Sequence, residues 1–309
     1  MPTQTGVKQD VEDGTCRNPH LYRSHSADSY TGILSIDKQL CVLVEIFTQL
    51  LDPIGFKFTQ HFLWGLPAFI AIIHLEGVRP DAPWFVMPLA LGFAYQLFTI
   101  GMVASILWIP FLFAHYRGRS TSPVPRRNAE GILIGLVIGY YIPTIAMLYT
   151  KSRRSIVLWQ FFPVYVDSVQ SIWTLLRINA RHSISSQSLL LFTLLTSTCV
   201  HLYTLIPIME RISVSAIYEF LPAWHVPPGF SITRPVAVLG LLQYDAGTAY
   251  FATIVTGILL LDTIGQAMLW VLVSPLVVAV LGPSAYVAAL WMKRERQLTM
   301  NQRRLKRPS

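Results

Sequence analysis

Residues 84–115 read WFVMPLALGFAYQLFTIGMVASILWIPFLFAH, a run without a single Asp, Glu, Lys or Arg. A hydrocarbon core of roughly 30 Å is crossed by about 20 apolar residues in a helix, so the run predicts one spanning helix, tilted or kinked. Pro88 and Pro110 are the natural kink sites. A proline frees a backbone carbonyl, but neighbouring helices can satisfy it inside a membrane, so neither residue vetoes the span.

The rest of the chain agrees with this reading. Of its 309 residues 53% are hydrophobic and 13% charged, with a mean hydropathy of +0.48. That is more apolar surface than one water-soluble core can hide, and the surplus must face lipid. Similar runs near 61–78, 129–149, 155–176, 188–209, 236–261 and 264–292 bring the count to seven hydrophobic helices. An eighth, at about 36–52, takes Ser35 as its N-cap and Asp37 in its first turn, yet carries Glu45 and is short for a span; it either crosses or lies in the interface. The expected fold is all-α, a multi-pass transmembrane helical bundle of seven or eight helices. It divides into a polar, disordered arm over 1–34, a helical domain over 35–292 and a basic tail over 293–309.

Lys8, Asp10, Glu12, Asp13 and Arg17 give the arm mixed charge with no apolar core of a signal peptide, so it reads as uncleaved. Cys16, Cys41 and Cys199 are far apart and read as packed small hydrophobes, not as a disulfide framework or a metal site. Net charge is +8, and Lys293, Arg294, Arg296, Arg303, Arg304, Lys306 and Arg307 follow the last apolar run. Basic residues directly after a span read as a cytosolic anchor to anionic lipid, and nucleic acid is set aside as a partner. Arg117, Arg119, Arg126 and Arg127 conflict with this, because an eight-span chain puts their loop on the face opposite the tail. Residues 210–235, with Pro222, Trp224, His225, Pro227, Pro228 and Gly229, predict a turn-rich loop.

Ionisable groups inside the apolar runs are where function is expected, since a charge near the bilayer centre costs at least ~2.5–3.5 kcal/mol. Glu76 ends one run three residues before Arg79, a spacing that joins them on one helix face; the pair is either a structural ion pair or part of a site. Asp245, after Gln243 and Tyr244, lies inside the run from Val236 and is either catalytic or a tie between helices. Asp167, one turn from Gln170, is the third candidate. Asp262 reads as the cap of the last helix. His74 and Glu76 stand two residues apart, on different faces of a helix, so they form no metal site. No aspartate-rich diphosphate motif and no glycine-rich phosphate loop occurs, which argues against diphosphate ionisation. The apolar runs also carry Trp64, Tyr95, Trp108, Tyr140, Tyr141, Trp159, Tyr165 and Trp173. Where aromatic faces line a dry cavity they stabilise a cation by ~2 kcal/mol or more, and a buried carboxylic acid can supply the proton that makes one.

Ile36-Asp37-Lys38-Gln39-Leu40 running to Leu51-Asp52, then Leu75-Glu76-Gly77-Val78-Arg79, then Leu242-Gln243-Tyr244-Asp245, resemble the fungal membrane-bound terpene cyclases typified by the ascochlorin and ascofuranone cyclases. The resemblance implies a multi-pass enzyme of the endoplasmic reticulum that protonates an epoxide or alkene of a farnesyl-type, meroterpenoid substrate and guides the cation through ring closure. It implies a lipophilic terpenoid or prenylated aromatic as partner and no cofactor or metal. It assigns catalysis to Glu76 and Asp245, supported by Arg79, Gln243, Tyr244 and Asp167, with Arg79 at Glu76 favouring Asp245 as donor. Two other readings stay open: a non-catalytic transporter or pathway scaffold whose acids line a polar passage, and a sterol-isomerase-like enzyme that moves a proton without closing a ring.

Overall fold

Prolines, glycines and one threonine decide where the helices start and break. The computed structural model describes Cys16 and residues 30–82, 87–116, 122–177, 184–211 and 234–305. The rest of the arm to residue 29, and the loop expected at 210–235 apart from its ends, lie outside the described residues. In chain order the helices are α1 Leu34–Leu50, α2 Pro53–Gly77, α3 Pro88–Phe98, α4 Ile100–Tyr116, α5 Arg126–Thr150, α6 Arg153–Gln160, α7 Phe162–Leu176, α8 Ser186–Arg211, α9 Arg234–Leu259, α10 Ile264–Leu281 and α11 Pro283–Leu305. The described residues thus form eleven helices and no strand, where seven or eight helices were expected. Four of them, α2, α5, α8 and α10, are long and apolar enough to cross a membrane.

The surplus comes from breaks inside runs that read as single spans. The stretch 84–115 is not one helix: Thr99 takes φ 73° and ψ 153°, and the chain turns back there. Descending α3 sets Gly92 against Pro163, and Tyr95 and Gln96 against Phe162 and Gln160; ascending α4 ends with His115 Nε2 3.0 Å from the Asp81 carbonyl, beside the point where the hairpin began. α3 and α4 are therefore a re-entrant hairpin. The run 155–176 breaks at Phe161 ahead of Pro163 into α6 and α7. The run 264–292 breaks at Gly282, φ 92°, ahead of Pro283, and α11 continues through the expected tail to Leu305. At the helix starts, α1 begins after Ile33, not Ser35, with Asp37 accepting from the N–H and hydroxyl of Thr31. Thr263, not Asp262, caps α10 through Gln266 N–H.

At two interior prolines the freed carbonyl finds another donor, as a membrane helix requires. Pro67 in α2 frees the Leu63 carbonyl, which accepts from the Tyr140 hydroxyl of α5 at 2.7 Å. Pro275 in α10 frees that of Val271, which accepts from Ser274 at 2.8 Å. α5 and α7 approach closely along Gly131, Gly135 and Gly139, where an added Cβ would come within 2.5 Å of Thr174 Oγ1, 2.7 Å of Val166 O and 2.5 Å of Val166 N. Small residues four apart let backbones touch in this way.

The bundle has two unlike ends. At one, α2 begins at Asp52, Lys151 lies over the Phe56 ring, and Glu45 of α1 pairs with Arg153 at 3.3 Å. At the other, α2 finishes at Glu76, Arg79 donates to the Ser122 carbonyl at 2.9 Å and to Glu295, and Asn128 donates to the Val78 carbonyl. Because the α3–α4 hairpin returns to its own side, Arg126 and Arg127 share the Glu76 end with the basic part of α11, which removes the orientation conflict for these two; Arg117 and Arg119 lie outside the described residues. Cys16 and Cys41 are joined as a disulfide, Cα–Cα 6.0 Å, which corrects their reading as singly packed residues; their spacing could not show that Cys16 meets Cys41. Cys199 is free and exposed.

Candidate functional site

The hairpin tip, α1, α2, the α6–α7 break and α9 enclose a cavity of about 120 Å³. Its walls are apolar: Leu43, Ile46 and Leu50 from α1, Leu66 from α2, and Val238, Leu241 and Leu242 from α9. Five aromatic rings join them, Phe47, Phe62, Tyr95, Trp159 and Phe162. Phe47 and Trp159 have centroids 4.8 Å apart, Trp159 and Phe162 5.0 Å, and Tyr95 stacks on Phe162 at 6.1 Å. Trp159 is oriented by a 2.8 Å hydrogen bond from its indole N–H to Thr144. The polar lining consists of Gln96, Thr99, Gln160 and Asp245, and Asp245 is the one carboxyl among the lining residues.

Asp245, 7% exposed, meets the cavity where the hairpin tip touches α9. Its Oδ1 accepts the Gly101 N–H at 2.7 Å, so a carboxyl group from α9 caps the first turn of α4 and leaves its second oxygen for other partners. Gly101 is needed there: a Cβ would stand 2.5 Å from the Asp245 carbonyl oxygen and 2.8 Å from Oδ1. Thr99, two residues before it, holds a backbone conformation that costs a β-branched residue about 1–3 kcal/mol and that clusters at functional sites. The tip is thus a strained turn fastened to a buried acid.

Glu76 lies elsewhere. It is ten residues beyond Leu66 on α2, about 15 Å further along the axis, and is not among the residues lining the cavity. Glu76 is fully buried in an ion cluster. Its Oε2 accepts from Arg79 Nε at 2.7 Å; its Oε1 accepts from Arg79 Nη2 at 3.0 Å, from Trp291 Nε1 at 3.0 Å and from Arg294. Arg79 also reaches Glu295, and Arg294 lies over the Tyr116 ring at 4.8 Å. The structure therefore brings Glu76 and Arg79 together, as their spacing implied, but does not bring them to Asp245. Asp167 is half-buried on α7 and away from the cavity, with Gln170 instead bonded to His74. Gln243 is buried and Tyr244 half-buried, and neither lines the cavity. Sequence reasoning missed Gln96, Thr99 and Gln160, which carry no charge and sit in apolar surroundings; the one available signal was a polar side chain inside each run.

A family model described as the CtvD domain matches residues 4–299. The chain belongs to the CtvD domain family. CtvD membership points to fungal secondary-metabolite biosynthesis and to a biosynthetic enzyme. The CtvD match runs from the arm through the whole bundle and takes in both the Asp245 cavity and the Glu76 cluster. No curated protein and no solved structure matches the chain.

Proposed function

We propose that this CtvD protein is a membrane-bound terpenoid cyclase of the endoplasmic reticulum that opens an epoxide, or protonates an alkene, with Asp245. The observation that carries the reading is one buried carboxyl facing an apolar cavity walled by five aromatic rings. The Asp245 carboxyl gives its proton to the epoxide oxygen and the C–O bond breaks, leaving a hydroxyl and a tertiary cation. The π electrons of a neighbouring alkene attack that cation, a C–C bond forms, and the charge moves on to the next carbon. Phe47, Trp159 and Phe162 offer ring faces to it, each worth ~2 kcal/mol or more when water is excluded. Loss of a proton from the last cation, back to the Asp245 carboxylate, forms the product alkene and restores the acid. A farnesyl-type chain is larger than the cavity, so its reactive end occupies it and the remainder lies among the helices and lipid.

The resemblance to the terpene cyclases supports the reaction class, and CtvD membership supports the biosynthetic setting. In this reading Glu76 and Arg79 hold the far end of the bundle, and Gln243, Tyr244 and Asp167 support the helices that carry the site. The test is to feed microsomes containing the protein with epoxyfarnesyl phenols and to compare it with Asp245→Asn at matched expression. Cyclised product from the parent that falls at least a hundredfold in the variant supports the reading. Equal turnover in the two removes Asp245 from the chemistry.

A further inference from the structure

Gln160 ends α6 at the break before α7 and is one of the residues lining the Asp245 cavity. It is 2% exposed, and its side-chain nitrogen Nε2 has no hydrogen-bond partner. Its main chain, by contrast, is fastened: the Gln160 carbonyl accepts from Gln96 Nε2 of α3 at 2.5 Å. One glutamine thus clamps the backbone of the other, while the Gln160 side-chain nitrogen is left without a partner. A buried donor without an acceptor destabilises a fold, and native structures keep few of them without a reason. Here the neighbours suggest the reason, since the only carboxyl in the lining is the acid proposed to protonate an oxygen, and the other polar groups there belong to Gln96, Thr99 and the Tyr95 hydroxyl.

We infer that Gln160 is a specificity-determining residue, whose side-chain amide donates a hydrogen bond to the oxygen of an oxygenated, lipophilic ligand held against Asp245. The inference rests on the proposed reading of the cavity. It narrows the ligand class from prenyl chains in general to chains with an ether, epoxide or hydroxyl oxygen at the reactive end. A pure hydrocarbon end leaves the amide unpaired and is bound less well, by about three- to tenfold for one hydrogen bond.

The experiment measures binding, so that turnover does not enter. Purified protein carrying Asp245→Asn, in which Asn can still accept the Gly101 N–H, is titrated with two farnesyl phenols that differ only in a terminal epoxide or a terminal alkene. With Gln160 present, the epoxide is expected to bind about three- to tenfold more tightly. With Gln160→Met added, the two ligands are expected to bind equally, the alkene as before, and the unliganded protein to melt no lower than its parent. Gln160→Leu replaces it if the Met variant does not accumulate. An epoxide preference that survives Gln160→Met, or that is missing with Gln160 present, overturns the inference and leaves the cavity reading intact. Failure of both ligands to bind the protein with Gln160 overturns the cavity reading and the inference with it.

Discussion

Replacing Glu76 with Gln separates a structural acid from a catalytic one. Four charges meet at that end of the bundle, Glu76 and Glu295 against Arg79 and Arg294, and they sum to zero while almost out of reach of water. Glu76→Gln preserves volume but leaves two guanidinium groups facing one carboxylate. It also turns one acceptor oxygen into an NH₂ pointed at Arg79 or Arg294. Removing one partner from a buried charge pair destabilises by about 3–5 kcal/mol. Taking a shift of roughly 2 °C per kcal/mol for a chain of this size, the melting temperature falls by about 6–10 °C. The assay is thermal unfolding of detergent-purified protein, followed by Trp fluorescence, with cyclisation measured on the folded fraction at low temperature. Turnover per folded molecule is expected to stay within about twofold of the parent, because Glu76 stands about 15 Å along α2 from the cavity. The reasoning is refuted by the opposite pair of results: an unchanged melting temperature and turnover reduced a hundredfold or more.

Three further outcomes follow from the geometry. Gly101→Ala forces a Cβ to 2.5 Å from the Asp245 carbonyl oxygen, so the hairpin tip must shift; a stability loss of about 1–3 kcal/mol with a larger loss of turnover is expected in the same two assays. Gly139→Ala pushes α5 from α7 at Val166 N, 2.5 Å away, and is expected to lower the melting temperature without changing ligand preference. The basic part of α11 and the start of α5 share one end and the Cys16–Cys41 disulfide ties the arm to α1, which packs by Glu45 and Arg153 at the other. Protease added to intact microsomes is therefore expected to trim the C-terminal tail, whereas in a Cys199→Ser variant a membrane-impermeant maleimide labels Cys16 only after permeabilisation and reduction; labelling of that variant after reduction alone contradicts this orientation.

Composition made the membrane class and the all-helical body legible, since apolar runs report exclusion from water. They do not report direction. The run 84–115 is as apolar as a spanning helix, but the reversal at Thr99 is a backbone event with no glycine or proline at the turning residue. The same limit moved the basic residues to the wrong end: a hairpin mistaken for a span inverts everything after it. Gly131, Gly135 and Gly139 carry a readable signal for close helix packing, three glycines four apart in an apolar run. The Cys16–Cys41 disulfide joins residues 25 apart in sequence, a pairing that spacing does not encode.

The two acids show how far local pattern reaches. Glu76 with Arg79 was legible as a pair because both lie within one turn. Arg294 and Glu295, read as tail, complete the cluster only because α11 runs alongside α2 beyond its apolar half. Asp245 was legible as a buried acid, but its use depends on what it faces. In the fold one carboxyl oxygen is taken by the first turn of α4, and the lining around it comes from six other helices. Glu76, by contrast, is saturated by Arg79, Arg294 and Trp291 and stands outside that lining. Two buried acids that look alike in an apolar run thus differ only through elements distant in sequence, which is why local pattern finds both and separates neither.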